Sequence, residues 1–352
     1  MPVPRLPTLG APPTPAPLRK IALEEHFGHP IVFMRDREGR YETRKEAAVG
    51  HLGPEYFALV QERLLEFDTT RLQAMDDAGV DKVLLSFGAG FRTFGVQGIL
   101  DRAEALNTAR TVNDFLAEQV RKHPSRYIGM ATLALQDPEQ AMRELERCVT
   151  KLGFKGVMIN GYTQVESPDN LIYLDDARMT PLWEALTALD VPLYLHPRAS
   201  HNAVMYDNHP ELTGANWGFA PETATHALRI VYSGIFDRFP TAKLVLGHLG
   251  ESLPFFAWRI QHCFEWNPSD KRVEKRLQDY LCENFFITTS GNNCDQALIC
   301  ALLTVGSDRI LFSTDYPFEM STDAARWIER APISELDRRK IAHGNAQRLF
   351  DL

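Results

Sequence analysis

The feature that most constrains this chain is a repeated alternation of short apolar runs with stretches of helical periodicity. Eight runs stand out: IALEEHF (21–27), KVLLSFG (82–88), YIGMATLAL (127–135), FKGVMINGY (154–162), VPLYLHPR (191–198), KLVLGHLGE (243–251), FFITTSG (285–291) and RILFSTDYPFE (309–319). Between them lie amphipathic segments such as TRLQAMDDAGV, RAEALNTARTVNDFLAEQVRKH, DPEQAMRELERCVTKLG, TPLWEALTALD, ETATHALRIVYSGIFDRFP and SELDRRKIAHGNAQRLF. Strand followed by helix, repeated, predicts βα units and a parallel sheet. Eight units in roughly 330 residues favour a closed (β/α)8 barrel of the TIM type over an open doubly wound sheet. No GxGxxG or GxxxxGK[ST] follows any of the runs, which removes support for a nucleotide-binding fold.

Two βα connections are long. Residues 28–68 separate the first strand from its helix and residues 199–219 follow the fifth, both on the face where such barrels build their sites. Residues 1–19 are rich in proline and lack a continuous apolar core, so they read as a flexible leader preceding a single domain over 20–352. No apolar stretch approaches the about 20 residues of a membrane span. The net charge of −8, without a basic block, argues against a nucleic-acid partner. Five scattered cysteines without a CxxC pair suit a reduced, cytoplasmic protein.

Polar residues collect at the C-terminal ends of the strands: Glu24 and His26, Asn160, His196, His248 with Glu251, Ser290 and Asp315. Side chains alternate along a strand, so Glu24 and His26 share a face and Glu25 points away. In a closed barrel these ends meet at one rim. Two carboxylates and at least two imidazoles aimed at a common centre make a divalent-metal site, and the metal offsets the cost of burying the acids. Taken singly, each residue has a plainer role: a hydrogen-bonded histidine, a helix cap at Asp315, an arginine pair at Glu24. The set is what carries the reading.

The motifs ALEEHF, YLHPR, LGHLGE, W-R-I-x-H, TTSGN and ILFSTDYPFE, in this order, resemble those of the amidohydrolase-related, metal-dependent decarboxylases, in the branch acting on γ-resorcylate and other hydroxybenzoates. The resemblance implies Glu24, His26, His196 and Asp315 as ligands of one divalent ion per subunit, zinc or manganese first and magnesium also compatible, with no organic cofactor. It further implies His248 and Glu251 as a catalytic pair, Asp315 as proton carrier, a small aromatic carboxylic acid as substrate, and a homodimer or homotetramer. Binuclear amidohydrolases begin with HxH and carry a bridging lysine at the end of strand four. Here the first motif is Glu24-x-His26, strand four ends in Ile159-Asn160-Gly161, and Lys155 stands at its opposite end, which favours a single ion.

The expected reaction is reversible loss of CO2 from an ortho-hydroxybenzoate to give the phenol, the carboxylate and adjacent phenolate oxygen forming a natural chelate. Asp315 would collect the phenolic proton and deliver it to carbon, with His248, oriented by Glu251, polarising the substrate or acting as the other donor. Arg259 is placed to anchor an anionic oxygen or to form a salt bridge within or between subunits. Phe318, Phe219 and Trp217 are candidates to sandwich the ring, while Asn160 and Ser290 either contact substrate or cap helices. Arg71 reads as a brace between helix and barrel. The same ligands would serve a mononuclear hydrolase or hydratase acting on an amide or lactone. A metal-bound barrel without catalysis would call for a plugged rim, whereas long loops, glycines and aromatics gather there.

Overall fold

A computed structural model describes residues 18–32, 53–88, 95–266 and 273–352. Residues 1–17 of the leader and 33–52 of the first long connection lie outside them. The eight apolar runs are all strands of one parallel sheet: β1 (Lys20–Phe27), β2 (Val80–Phe87), β3 (Tyr127–Thr132), β4 (Gly156–Asn160), β7 (Leu193–His196), β8 (Leu244–Leu246), β9 (Phe285–Thr288) and β10 (Ile310–Leu311), in that spatial order. The sheet curls into a nearly closed barrel ringed by helices. Across the remaining seam, the Asp315 N–H donates to the Glu24 carbonyl at 3.0 Å and the His26 N–H to the Tyr316 carbonyl at 2.7 Å.

The strands read as apolar runs because both faces are covered. Ala22, Val83, Leu85, Val157, Ile159, Leu193, Leu195, Leu244 and Leu246 pack in the large cluster shared with the helices. Ile21, Leu23, Leu84, Met130, Met158, Tyr194, Val245 and Leu311 form a second cluster inside the barrel. Ala346, Leu349 and Phe350 join that cluster and close the barrel floor. Continuing the inward alternation toward the C-terminal ends brings Ser86, Asn160, His196, Ser290, Ser313 and Asp315 to the rim. On β1 a register shift between Ala22 and Glu25 reverses the alternation, so Leu23 packs inside while Glu24 and His26 still face the rim.

Two connections depart from the sequence reading. The 28–68 segment contains a helix, α1 (Pro54–Leu64), whose Val60 and Leu64 pack against Phe318. Residues 163–172 form an antiparallel hairpin, β5 (Thr163–Val165) with β6 (Ser167–Ile172), above the end of β4. The 199–219 segment holds only short 3-10 turns before α2 (Phe219–Tyr232) begins.

Candidate metal and active site

Glu24, His26 and His196 each place one ligand atom within 4.8 Å of the others. His196 Nε2 lies 3.3 Å from Glu24 Oε1, and His26 Nε2 lies 3.8 Å from the same oxygen. Asp315 Oδ1, from beyond the eighth strand, is 3.2 Å from His26 Nε2, next to this cluster. Glu24 Oε1 and His26 Nε2 are fully buried and have no hydrogen-bond partner. Orphaned, convergent, buried donors of this chemistry fit a divalent cation.

The surroundings aim these groups. The Ser86 hydroxyl meets His26 Nδ1 at 3.3 Å, leaving Nε2 for the centre. The Tyr194 hydroxyl donates to Glu24 Oε2 and also contacts Thr288 Oγ1 at 2.9 Å. Three glycines make room: a Cβ on Gly88 would fall 2.2 Å from His26 Nδ1, one on Gly247 2.8 Å from Glu24 Oε2, and one on Gly291 3.2 Å from His248 Cδ2.

Beside the ligands, His248 Nδ1 hydrogen-bonds Glu251 Oε1 at 2.7 Å and its Nε2 stands 3.7 Å from Asp315 Oδ2. The two residues meet because the backbone from His248 to Ser252 runs at positive φ throughout, a left-handed turn in place of a helical one. Non-glycine residues there are strained and persist where the surroundings hold them.

Charges at the site are sharply sorted. Burial raises the Glu24 carboxyl, but the His248 charge, then His26 and His196, hold it below the usual range. Burial likewise opposes ionisation of Asp315, and the neighbouring His248 and His26 imidazoles prevail, lowering its pKa. Burial lowers the pKa of His26, yet the Asp315 and Glu24 carboxylates beside it raise it to about 9: the two acids favour a positive charge between them. His196 is pushed down to about 4 by burial and the charge of His26, which leaves a neutral imidazole with a free lone pair. For His248, burial opposes the charge of Glu251, which prevails and raises it well above its ordinary value. A carboxylate that favours its charged form thus stands next to an imidazole that favours its own.

Known proteins resemble this chain in sequence and in fold. The amidohydrolase family profile matches residues 28–352. The chain belongs to the amidohydrolase family. Within it, the chain is 47% identical over 337 residues to the γ-resorcylate decarboxylase of Polaromonas sp. JS666, covering 95% of this chain and 98% of that one. The structure of the Polaromonas sp. JS666 dihydroxybenzoic acid decarboxylase, with bound manganese and the inhibitor 2-nitroresorcinol, superposes with a TM-score of 0.86 at 46% identity, covering 95% and 97% of the two chains. A 2,6-dihydroxybenzoate decarboxylase in complex with 2,6-dihydroxybenzoate gives a TM-score of 0.87 at 44% identity, covering 95% and 99%.

Within that frame, Glu24, His26 and His196 form one cluster, with Asp315 beside His26 and the His248–Glu251 pair beside Asp315. Phe318 sets its ring edge-on to His26, centroids 5.7 Å apart. Asn160 Oδ1 and Ser290 Oγ are buried at the rim, and the Asn160 amide nitrogen donates to the Phe87 carbonyl and Gln97 Oε1 at 3.4 Å. Lys155 lies before β4 and bonds the Asp351 carbonyl at 3.3 Å, far from any bridging role. Arg71 is a brace: it donates to the His26 carbonyl at 2.7 Å. Phe219, half-buried, opens α2. Two further candidates lie on the surface of this chain. Trp217 is 50% exposed on its loop. Arg259 is exposed on the helix Leu253–Trp266, whose buried stripe runs through Leu253, Pro254 and Ala257; two residues past Ala257 is the opposite side of a helix. Sequence reasoning missed Tyr194 and Ser86, although each stands two residues before an inward rim position, in YLH and SFG.

Proposed function

We propose that the chain is a metal-dependent decarboxylase converting an ortho-hydroxybenzoate, 2,6-dihydroxybenzoate first, to the phenol and CO2. The observation that carries this is the convergence of buried Glu24, His26 and His196 donor atoms beside Asp315 and the hydrogen-bonded His248–Glu251 pair. The γ-resorcylate decarboxylase relatives and the ligands bound in the related structures support it. Glu24, His26, His196 and Asp315 would hold one divalent ion, manganese as in the relative or zinc, which suits the same donors. When bound, the ion supplies Lewis acidity and a fixed orientation for the carboxylate and phenol oxygens.

The chain's own groups carry the proton. Asp315, held as a carboxylate, takes the proton of the ortho-hydroxyl and gives it to the ring carbon bearing the carboxylate. A C–H bond forms there and the ring loses aromaticity. The C–C bond to the carboxylate then breaks, its electrons return to the ring and the phenolic oxygen, and CO2 leaves. Asp315 is a carboxylate again, and solvent protonates the phenolate. His248, kept protonated by Glu251, stands beside Asp315 Oδ2 where negative charge moves during the transfer. Phe318 forms an apolar wall for the ring.

Incubation with 2,6-dihydroxybenzoate and Mn2+ is expected to release resorcinol and CO2, and Asp315→Asn to lower turnover ~10²–10⁴-fold, the range for a general acid–base group. No resorcinol above a metal-free control, or near-normal turnover in Asp315→Asn, refutes the reading. A homo-oligomer also fits. Phe255, Trp258 and Trp266 on one helix and Leu303 on its neighbour are 75%, 69%, 76% and 84% exposed, an apolar face suited to a second copy. Five free cysteines fit a cytoplasmic setting, and no helix among the described residues is long and apolar enough to cross a membrane.

A further inference from the structure

Three of the four candidate ligands sit on the two strands flanking the seam where the regular ladder is missing: Glu24 and His26 on β1, Asp315 beyond β10. Their separation is therefore set by whatever closes that seam. On the outer side, away from the centre, Glu25 is buried and accepts from the Thr314 N–H at 3.0 Å and from the Thr314 hydroxyl at 2.8 and 2.9 Å. The Thr314 hydroxyl also contacts Ser321 Oγ at 3.3 Å. Arg71, equally buried, donates to the His26 carbonyl and lies 4.8 Å over the Tyr316 ring, touching the residue after Glu25 and the residue after Asp315.

A second observation shows that Asp315 needs holding. Its φ is +71, a left-handed conformation that a non-glycine residue keeps only when its neighbours over-determine it. The backbone bonds from Asp315 to Glu24 and from His26 to Tyr316 fix the height of the seam. The Glu25–Thr314 clasp fixes the residue immediately before the strained one.

We infer that Glu25, clasping Thr314 and backed by Arg71, is a positioning residue that sets where the Asp315 carboxylate stands relative to Glu24 and His26. The clasp lies outside the barrel and touches neither substrate nor ion, so it acts only through Asp315. This rests on the proposed role of Asp315.

The test uses manganese-loaded protein and the pair Thr314→Val and Thr314→Ser. Valine keeps the shape and deletes the hydroxyl; serine keeps the hydroxyl. Thr314→Val is expected to lower kcat ~10–100-fold with KM held within about threefold, the scale of a displacement of about 1 Å in a catalytic group. It is also expected to alter the Mn2+ electron paramagnetic resonance line shape, and Thr314→Ser to restore both. Should Thr314→Val not give folded holoenzyme, Glu25→Gln, which keeps side-chain volume and one acceptor oxygen, is read the same way. Turnover within twofold of the parent, an unchanged Mn2+ spectrum, or failure of serine to rescue overturns the inference. Asp315→Asn run alongside separates the two ideas: full activity there refutes the role of Asp315, whereas an inactive Asp315→Asn with a normal Thr314→Val refutes only the clasp.

Discussion

Tyr194→Phe isolates the hydrogen bond that supports Glu24 while leaving every candidate ligand in place. The phenol is fully buried inside the barrel and donates to Glu24 Oε2, the oxygen turned away from the imidazoles. Burial, then the charge of Glu24, keeps its pKa well above the ordinary value, so it remains a donor at any working pH. A hydrogen bond to a charged group contributes about 1.5–3 kcal/mol. At about 1.4 kcal/mol per tenfold change, its loss corresponds to ~10–100-fold weaker metal binding, the range found when a supporting partner of a ligand is removed. Thr288 Oγ1, the other contact, still meets the Ser290 N–H at 3.4 Å, so the penalty beyond Glu24 is small. Metal-stripped protein titrated with Mn2+, followed by calorimetry, is expected to show this drop with the melting temperature of the apoprotein little changed. Manganese affinity within twofold of the parent, or loss of affinity only together with loss of fold, refutes the argument.

Removing the charge of Glu251 by Glu251→Gln takes away the main support for protonated His248, so the alkaline limb of the kcat/KM profile is expected at lower pH; an unmoved limb contradicts the assignment. Gly88→Ala puts a methyl 2.2 Å from His26 Nδ1 and is expected to displace the imidazole, lowering turnover ~10²-fold with sub-stoichiometric manganese by elemental analysis. His226 is buried, accepts from the Leu174 N–H at 2.8 Å, and burial followed by Arg229 lowers its pKa to about 3. Below about pH 6.5 the unfolded chain takes up a proton that the folded chain refuses, so stability is full above that pH and falls toward pH 3, by up to about 1.4 kcal/mol per unit. In His226→Gln, which keeps an acceptor for Leu174, urea unfolding between pH 6.5 and 4.5 is expected to lose that part of the slope.

All eight barrel strands were legible in the sequence because a strand covered on both faces is an unbroken apolar run, and such runs were counted. The candidate ligands were legible because a polar residue at the end of such a run comes to the rim. What escaped reading depends on backbone detail. The hairpin over 163–172 is polar along SPDNLI and lacks the apolar pattern of a strand. The shift at Ala22–Glu25 changes which residues face inward without changing composition. Likewise, LGHLGE names His248 and Glu251 but not the left-handed turn that makes them touch. For Arg259 and Trp217 residue type is legible in the sequence and direction is not; both are exposed on this chain, since a helix or loop beside a rim presents most of its surface elsewhere.

Phe350 and its neighbours stop the far end of the barrel with packed hydrocarbon. The interior is a blind cup, and traffic is confined to its mouth. On the proposed reaction, CO2 would escape past the aromatic product that shares the opening, and dissolved CO2 driven back in would meet the phenol by the same door. The balance between carboxylation and its reverse at high bicarbonate is thus also a question of which molecule leaves first.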